Sequence, residues 1–317
     1  MTPSSLTSRA PTRIDFGGGW TDVPPFPAEE GGYVCNLAIA RYATAHLREA
    51  GGVGGSQREG VNDALAAAAL RRSGLGDVAL TLASDFPVGA GLGGSSAAGI
   101  ATMGALAAWR RRERSRAELA EESRAVEVED LGVAGGRQDH YAAAFGGALG
   151  LRFGDGVEVE RLSIDGVAGE LERRCVVGYT GQSRISGRTI TGVIDAYQAR
   201  EPRVTAALRR MRALAEQMAD ALRRGALDDL GRLVGEHWVH QRALHPEITT
   251  ERIDALVERA TAAGALGVKA LGASGGGCVV AVAAAGREAD VRAAVAALAE
   301  PLPFRVDHDG LTIEWAE

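Results

Sequence analysis

Short apolar runs bounded by glycine alternate along the chain with stretches in which apolar residues recur every three or four positions. The runs at 32–40, 78–83, 148–153 and 157–162 predict strands. Helices are predicted between them. One spans 62–72, alanine-rich behind Asn62 as a cap; another spans 96–112, with Ile100, Met103, Leu106 and Trp109 at regular spacing; a third, 116–128, is charged and rich in helix formers. Past residue 170 the pattern restarts. It predicts strands at 174–179, 278–283 and 311–315 and helices at 204–223, 228–240, 250–263 and 288–298. Strands and helices mixed in this way, twice over, predict an α+β protein of two units, 1–165 and 166–317, divided near Asp165. The stretch AGGVGGSQREG at 50–60 reads as a surface loop, and no internal repeat interrupts the pattern.

The length supports the division, because 317 residues are more than one hydrophobic core usually organises. Apolar residues make up 46% and charged residues 24%, which fits a soluble globular protein and excludes disorder, collagen and a membrane bundle. A net charge of -6 excludes nucleic acid as a partner, since a phosphate backbone needs a basic surface. An anionic ligand would need local cations. No run reaches the roughly 18 apolar residues of a membrane span. MTPSSLTSRAPT lacks the apolar region of a signal peptide, so the chain is expected in the cytoplasm, neither exported nor anchored. Cys35, Cys175 and Cys278 are odd in number and far apart, which argues against a disulfide framework or a CxxC metal site and agrees with a reducing cytosol. His237, His240 and His245 match no zinc spacing, and His237 and His240 are expected to pack beside Trp238.

Three glycine clusters carry the candidate chemistry. In RIDFGGGWTDVPP, starting at Arg13, three glycines stand between Arg13 and Asp15 on one side and Asp22 on the other. Such a triplet gives up backbone order, so it implies positive φ or a close approach to the backbone. The second cluster, PVGAGLGGSSAA from Pro87, follows a strand and opens a helix. That is the geometry of an anion site, with free N–H groups and the positive end of the helix dipole facing whatever lies before Ser95 and Ser96. The plainer alternative is a turn with serine caps. Gly89, Gly91 and Gly94 also match the dinucleotide pattern G-x-G-x-x-G, but the charged, helical RRRERSRAEL stands where a second strand belongs. No lysine follows the glycines, as a P-loop requires. The third cluster, KALGASGGGC from Lys269, lies between a helix and the run VVAVAAA and taken alone reads as a turn.

Together, RAPTRIDFGGGWTD, PVGAGLGGSSAA and KALGASGGGC resemble, in order and spacing, the motifs of the GHMP small-molecule kinases, over nearly the whole chain. GGRQDHYAAAFGG at 135–147, YTGQSRISG at 179–187 and the C-terminal stretch beginning HWVHQRALHPEITTERIDALVERA are similar to the sugar 1-kinase branch of that superfamily, with its heptose 7-phosphate kinases and L-fucokinase domains. The resemblance implies a ribosomal-protein-S5-like N-terminal domain and a ferredoxin-like C-terminal domain. ATP, Mg2+ and a small-molecule sugar or sugar phosphate would meet in the cleft between them, in a monomer or a homodimer. It implies transfer of the γ-phosphate to the anomeric hydroxyl; a catalytically inactive sugar sensor and a decarboxylase of a phosphorylated acid are the alternatives.

The same resemblance implies roles for individual residues. Asp139, in RQDH, matches the catalytic aspartate that accepts the proton of the acceptor hydroxyl, and Arg13 matches the basic residue beside it. Asp22 matches an acidic residue that hydrogen-bonds sugar hydroxyls. Asp15, Gly18, Gly19, Trp20, Thr21, Gly136, Tyr179 and Arg184 are expected around the sugar with it, the glycines from Gly17 to Gly19 making room for the ring. Pro87, Gly89, Gly91, Leu92, Gly93, Gly94, Ser95, Ser96, Gly275 and Gly276 are expected to hold the nucleotide. Ser95 with Glu127 or Glu129, Glu127 preferred, matches the magnesium ligands, hard oxygens for a hard cation. His140 departs from the glutamine common in relatives. Taken bare, these residues read as a turn-forming aspartate, a strand-end arginine and solvated helix carboxylates.

Overall fold

A computed structural model of the chain describes residues 5–50, 63–182 and 187–316. The loop expected at 50–60 lies, beyond Ala50, outside the described residues, as does Arg184. The chain opens with strand β1 (Ser5–Gly17), helix α1 (Phe26–Glu30) and the long strand β2 (Gly32–Glu49). Next come α2 (Asp63–Ser73), β3 (Val78–Ser84), α3 (Gly94–Trp109) and α4 (Arg116–Ala125). A π-helical turn at Val126–Asp130 leads to α5 (Gln138–Phe145), β4 (Ala148–Phe153) and β5 (Val157–Leu162). The second half holds α6 (Ala168–Arg174), β6 (Cys175–Tyr179), α7 (Gly187–Gln198), α8 (Pro202–Arg223), α9 (Leu227–Arg242) and α10 (Glu251–Ala262). It closes with β7 (Ala265–Ala270), β8 (Cys278–Ala283), α11 (Glu288–Ala296), β9 (Glu300–Pro301) and β10 (Thr312–Trp315). Local chemistry sets some of these starts. Helix α4 begins on a capping box, in which Ser115 Oγ accepts from the Glu118 N–H at 3.2 Å and Glu118 Oε2 accepts from the Ser115 N–H at 2.7 Å.

All strand pairing is antiparallel. The first sheet runs β10-β1-β2-β4-β5, and β2 is long enough to take β4 along residues 32–37 and β3 along residues 43–49. The second runs β7-β8-β6-β9. Strand β10 departs from the expected division at residue 165. It leaves the second half and pairs with β1, from Leu6↔Trp315 to Arg9↔Thr312, covering an edge that β1 would otherwise leave open. Trp315 stacks on Trp109 of α3 there, with ring centroids 5.8 Å apart.

Three cores follow from these layers. On one face of the first sheet, Leu47 and Phe153 pack with Ile100 and Leu106 of α3. On the other face, Ile14, Phe16 and Leu37 share a core with Leu214 and Met218 of α8, Leu230 of α9, and Val177 and Val280 of the second sheet. The far side of the second sheet packs Val279 with Leu256 of α10 and Val295 of α11. Helices α8 and α9 therefore join the two sheets, and β1 is buried on both faces from Ala10 to Gly17. Among the described residues no helix is long and apolar enough to cross a membrane.

Candidate active site

Strand β1 carries Arg13 through the interior to α5, where its guanidinium meets Asp139 side-on. Nε donates to Oδ1 and Nη2 to Oδ2, each at 2.8 Å. Two parallel bonds from a planar fork set both the distance and the plane of the carboxylate. Nη1 donates to the Gly91 carbonyl at 2.6 Å, and the Arg13 backbone N–H donates to the Leu92 carbonyl at 3.1 Å. Arg13 is 3% exposed and Asp139 26%, so the pair presents its carboxylate side to solvent.

The start of α5 is held from a distance. Asp22 Oδ2 accepts from the N–H groups of Arg137 at 2.8 Å and Gln138 at 2.9 Å, acting as a cap supplied by another segment. A methyl group at Gly136 would overlap the Asp22 carboxylate. Burial pushes the Asp22 carboxyl up to about 6, against the Gln138 amide bond and with the help of the Asp139 charge.

The second glycine cluster lies beside this pair and is open. Val88, Gly89 and Ser95 are exposed, and Gly91, Gly93 and Gly94 are half-buried. Gly89, Gly91 and Gly93 adopt φ of 70, 72 and 74°, the left-handed region that glycine enters at little cost. Helix α3 starts behind Gly93 with no side-chain cap and no acidic residue in its first turn, so its leading N–H groups are available to an anion. A methyl at Gly93 would come within 3.0 Å of Asp139 Cγ, which places the loop directly against the carboxylate.

Glu127 reaches the same place from the π-helical turn, an irregularity common at functional sites. Ser96 Oγ donates to Glu127 Oε2 at 3.4 Å, and His140 Nε2 lies 3.0 Å from that oxygen. His140 Nδ1 lies 3.0 Å from Ser123 Oγ. Burial pushes the Glu127 carboxyl up, but the His140 ring and the bonds from His140, Ser95 and Ser96 outweigh it and hold the group below its ordinary value. Glu129 turns outward to Arg72 at 2.7 Å. Of the two glutamates weighed as metal ligands, only Glu127 is therefore beside Ser95.

The first glycine cluster is different. Every residue from Asp15 to Asp22 is buried. A methyl at Gly17 would meet Met218 Sδ at 2.5 Å; at Gly18 it would overlap the Tyr33 carbonyl, and at Gly19 the Asp15 carboxylate. At these three positions the space that a side chain would take is thus filled by the chain's own atoms. Trp20 is held at φ 85°, Thr21 Oγ1 donates to the Gly18 carbonyl at 2.7 Å, and the Gly18 N–H donates to His237 Nε2 at 2.9 Å. His237 does more than pack beside Trp238. Lys269 Nζ lies 3.1 Å from Asp15 Oδ2. Neither His237 nor Lys269 is given a role in the site by sequence reasoning, although Lys269 opens the third glycine cluster.

The third cluster buttresses the second. The Cys278 N–H donates to the Ala90 carbonyl at 2.7 Å, and a methyl at Gly91 would come within 2.7 Å of the Leu271 carbonyl. Gly275 and Gly276, expected to hold the nucleotide, are buried; the Gly275 N–H donates to Ile248 O at 2.9 Å, and a methyl at Gly276 would come within 2.7 Å of the Gln182 carbonyl. Tyr179 and Gly136 are half-buried.

The family model for the N-terminal domain of GHMP kinases matches residues 61–147, and that for the GHMP kinase C-terminal domain matches residues 218–303. The mevalonate kinase of Pyrococcus abyssi is 32% identical over 244 residues, 75% of this chain and 69% of that protein. The D-glycero-alpha-D-manno-heptose 7-phosphate kinase of Campylobacter jejuni is 27% identical over 302 residues, 86% of this chain and 88% of that one. The bifunctional fucokinase/GDP-fucose pyrophosphorylase of Arabidopsis thaliana is 27% identical over 312 residues, and the match spans 87% of this chain but only 29% of the plant protein. Among solved structures, a D-glycero-D-manno-heptose 1-phosphate kinase from Bacteriodes thetaiotaomicron matches with a TM-score of 0.78 at 25% identity, covering 98% of this chain and 99% of that one. The chain belongs to the GHMP kinase family, with its two-domain fold, and is an ATP-dependent phosphotransferase acting on a hydroxyl group.

Proposed function

We propose that this kinase phosphorylates the anomeric hydroxyl of a sugar or sugar phosphate in the cytoplasm, most like D-glycero-D-manno-heptose 7-phosphate. The observation that carries the reading is the Asp139 carboxylate, aimed by two bonds from Arg13 and left partly open beside the exposed glycine loop. Asp139 accepts the proton of the acceptor hydroxyl as that oxygen bonds to the γ-phosphorus and the bond to the ADP oxygen breaks. Arg13 keeps the carboxylate aimed, and the leading amides of α3, with Gly89 to Ser96 around them, receive the phosphates. Ser95 and Glu127 suit a magnesium ion, being hard oxygens, one of them a half-buried carboxylate held ionised by His140, Ser95 and Ser96. Held by these two residues, a magnesium ion would supply positive charge against the phosphates. Its other ligands would come from the nucleotide and water, because the described residues hold no group of three or more His, Cys, Asp or Glu side chains arranged for a metal. The half-buried Gly136 and Tyr179, and Asp22 through the oxygen that α5 leaves free, are the residues on the sugar side.

Support for a sugar acceptor comes from the heptose phosphate kinase relative, which aligns along 86% of the chain. A second acceptor class, mevalonate, has the 32% identity of the archaeal enzyme in its favour. A coupled ADP-release screen over heptose 7-phosphate, fucose, other free sugars and mevalonate decides between them. Turnover of heptose 7-phosphate is expected; turnover of mevalonate alone moves the chain to the second class, and nucleotide binding without any turnover leaves an inactive sugar sensor. In the same assay Asp139→Asn is expected to lose about 10²- to 10⁴-fold in rate while nucleotide affinity holds within about twofold.

A further inference from the structure

Two buried charges that take no part in the chemistry above meet where the two sheets join. Lys269 on β7 is 0% exposed, and its Nζ donates to the Asp15 backbone carbonyl at 2.9 Å and to Asp15 Oδ2 at 3.1 Å. The bond to the carbonyl falls at a particular place. The ladder between β1 and β2 shifts register between Asp15 and Gly17, so the backbone there is released from regular pairing, and Lys269 supplies a donor to it from the opposite sheet. A second tie lies three residues on, from the Gly18 N–H to His237 of α9. Burial, with the Lys269 charge, holds His237 well below its ordinary value, so its ring is neutral and free to accept through Nε2.

An ion pair in such a place is a poor source of stability. Taking each ion out of water costs several kcal/mol, and apolar residues of similar volume often hold a core as well or better. Asp15 Oδ1 and Asn36 Oδ1, opposite it on β2, also have no hydrogen-bond partner among the described residues, which adds to the cost. Geometry is what the pair supplies. Asp15 lies two positions beyond Arg13 on one strand, so the two side chains leave β1 on the same face, one to Lys269 and one to Asp139. A shift of β1 at Asp15 is a shift of Arg13.

We propose that Lys269 is a positioning residue for phosphoryl transfer: by pinning the Asp15 carbonyl at the end of β1 it sets the aim of Arg13 on Asp139. The proposal rests on the kinase reading given above. The test compares the parent with Lys269→Met and with Lys269→Met/Asp15→Asn. The single variant leaves a buried carboxylate unpaired and is expected to melt well below the parent. The double variant removes both charges at nearly constant volume and is expected to melt near the parent, yet with kcat lower by about 10²-fold, the scale of a misplacement near 1 Å, and acceptor KM little changed. A readout independent of turnover is the Arg13 Nε–H resonance, assigned through Arg13→Lys. It is expected to exchange slowly in the parent and to be lost or shifted in the double variant. A double variant with parental kcat and an unchanged Arg13 resonance overturns the proposal, and so does a loss confined to acceptor KM, which would make Asp15 a sugar contact. If the parent releases no ADP with any acceptor, the kinase reading fails and the Arg13 resonance still decides the positioning. Should the double variant not fold, Lys269→Leu/Asp15→Asn, which likewise removes both charges and the donor to the Asp15 carbonyl, takes its place with the same outcomes.

Discussion

Two glycine-rich stretches have opposite fates in this molecule. RIDFGGGWTD is buried from end to end, and the places where its glycines lack side chains are taken by Met218, Tyr33 and Asp15. PVGAGLGGSSAA is open, with Gly89 and Ser95 in solvent and the uncapped amides of α3 behind them. Glycine serves closeness in both, but to different partners: in the first the chain approaches itself, at α8 and at the neighbouring strand β2, and in the second the backbone stays within reach of an anion. Glycine content alone does not separate these uses. What lies on the other side of the missing Cβ does.

The comparison breaks most easily at Gly18. Its φ of 91° and the Tyr33 carbonyl against it leave no place for a side chain. Gly18→Ala is expected to cost about 3 to 5 kcal/mol, from backbone strain and overpacking together, read as a large fall in Tm. A Tm within a degree or two of the parent would mean that the segment has room after all. Asp22, in the same buried stretch, offers a subtler check through pH. Its folded pKa of about 6 lies above the ordinary carboxyl value of 3.8, so its contribution to stability is full below the lower value and is lost as pH rises through the upper one. Asp22→Asn keeps an acceptor for α5 without that dependence. Its Tm relative to the parent is expected to rise between pH 5 and pH 8 by the equivalent of about 1 to 3 kcal/mol; a flat difference would place Asp22 in a more polar setting.

The open cluster is tested by affinity and not by melting. Gly93→Val forces a branched side chain to φ 74° beside Asp139 and is expected to weaken nucleotide binding by about tenfold or more, measured by calorimetry on folded protein. Unchanged affinity with a lower Tm would make the second cluster a packing device like the first. The smallest effect separates the two glutamates. Glu127→Gln is expected to weaken Mn2+ binding in the presence of ADP by about tenfold, whereas Glu129→Gln, which only loosens an exposed pair with Arg72, should change it less than about twofold and cost under about 1 kcal/mol. Equal effects from both would remove Glu127 from the metal's surroundings.

Glycine-bounded apolar runs made the strands 148–153, 157–162 and 278–283 legible in the sequence, and they lie where the pattern places them. The two elements that carry Arg13 and Asp139 were not legible as elements. Strand β1 is buried on both faces along its second half, which erases the alternation a half-buried strand shows. Helix α5 is eight residues long and starts on a cap 116 positions away in the chain, so its neighbours do not announce it. Predicted helix 116–128 ends as α4 at Ala125, because the backbone widens into the π-helical turn that delivers Glu127. Arg13 and Asp139 were reached through the motifs around them. Lys269 opens the third motif but received no role, since its meaning lies in a contact with a residue 254 positions earlier.

Strand β10 has a consequence for how the chain comes into being. Its partner β1 is made first, and at about 5 to 20 residues per second the roughly 300 residues between them take about 15 to 60 s to synthesise. For that time β1 has β2 on one side and an unpaired edge on the other, the kind of edge that recruits strands from other chains. The first sheet is finished only after the helices and strands of the second half have emerged, so the nascent protein depends on β10 for protection from its neighbours.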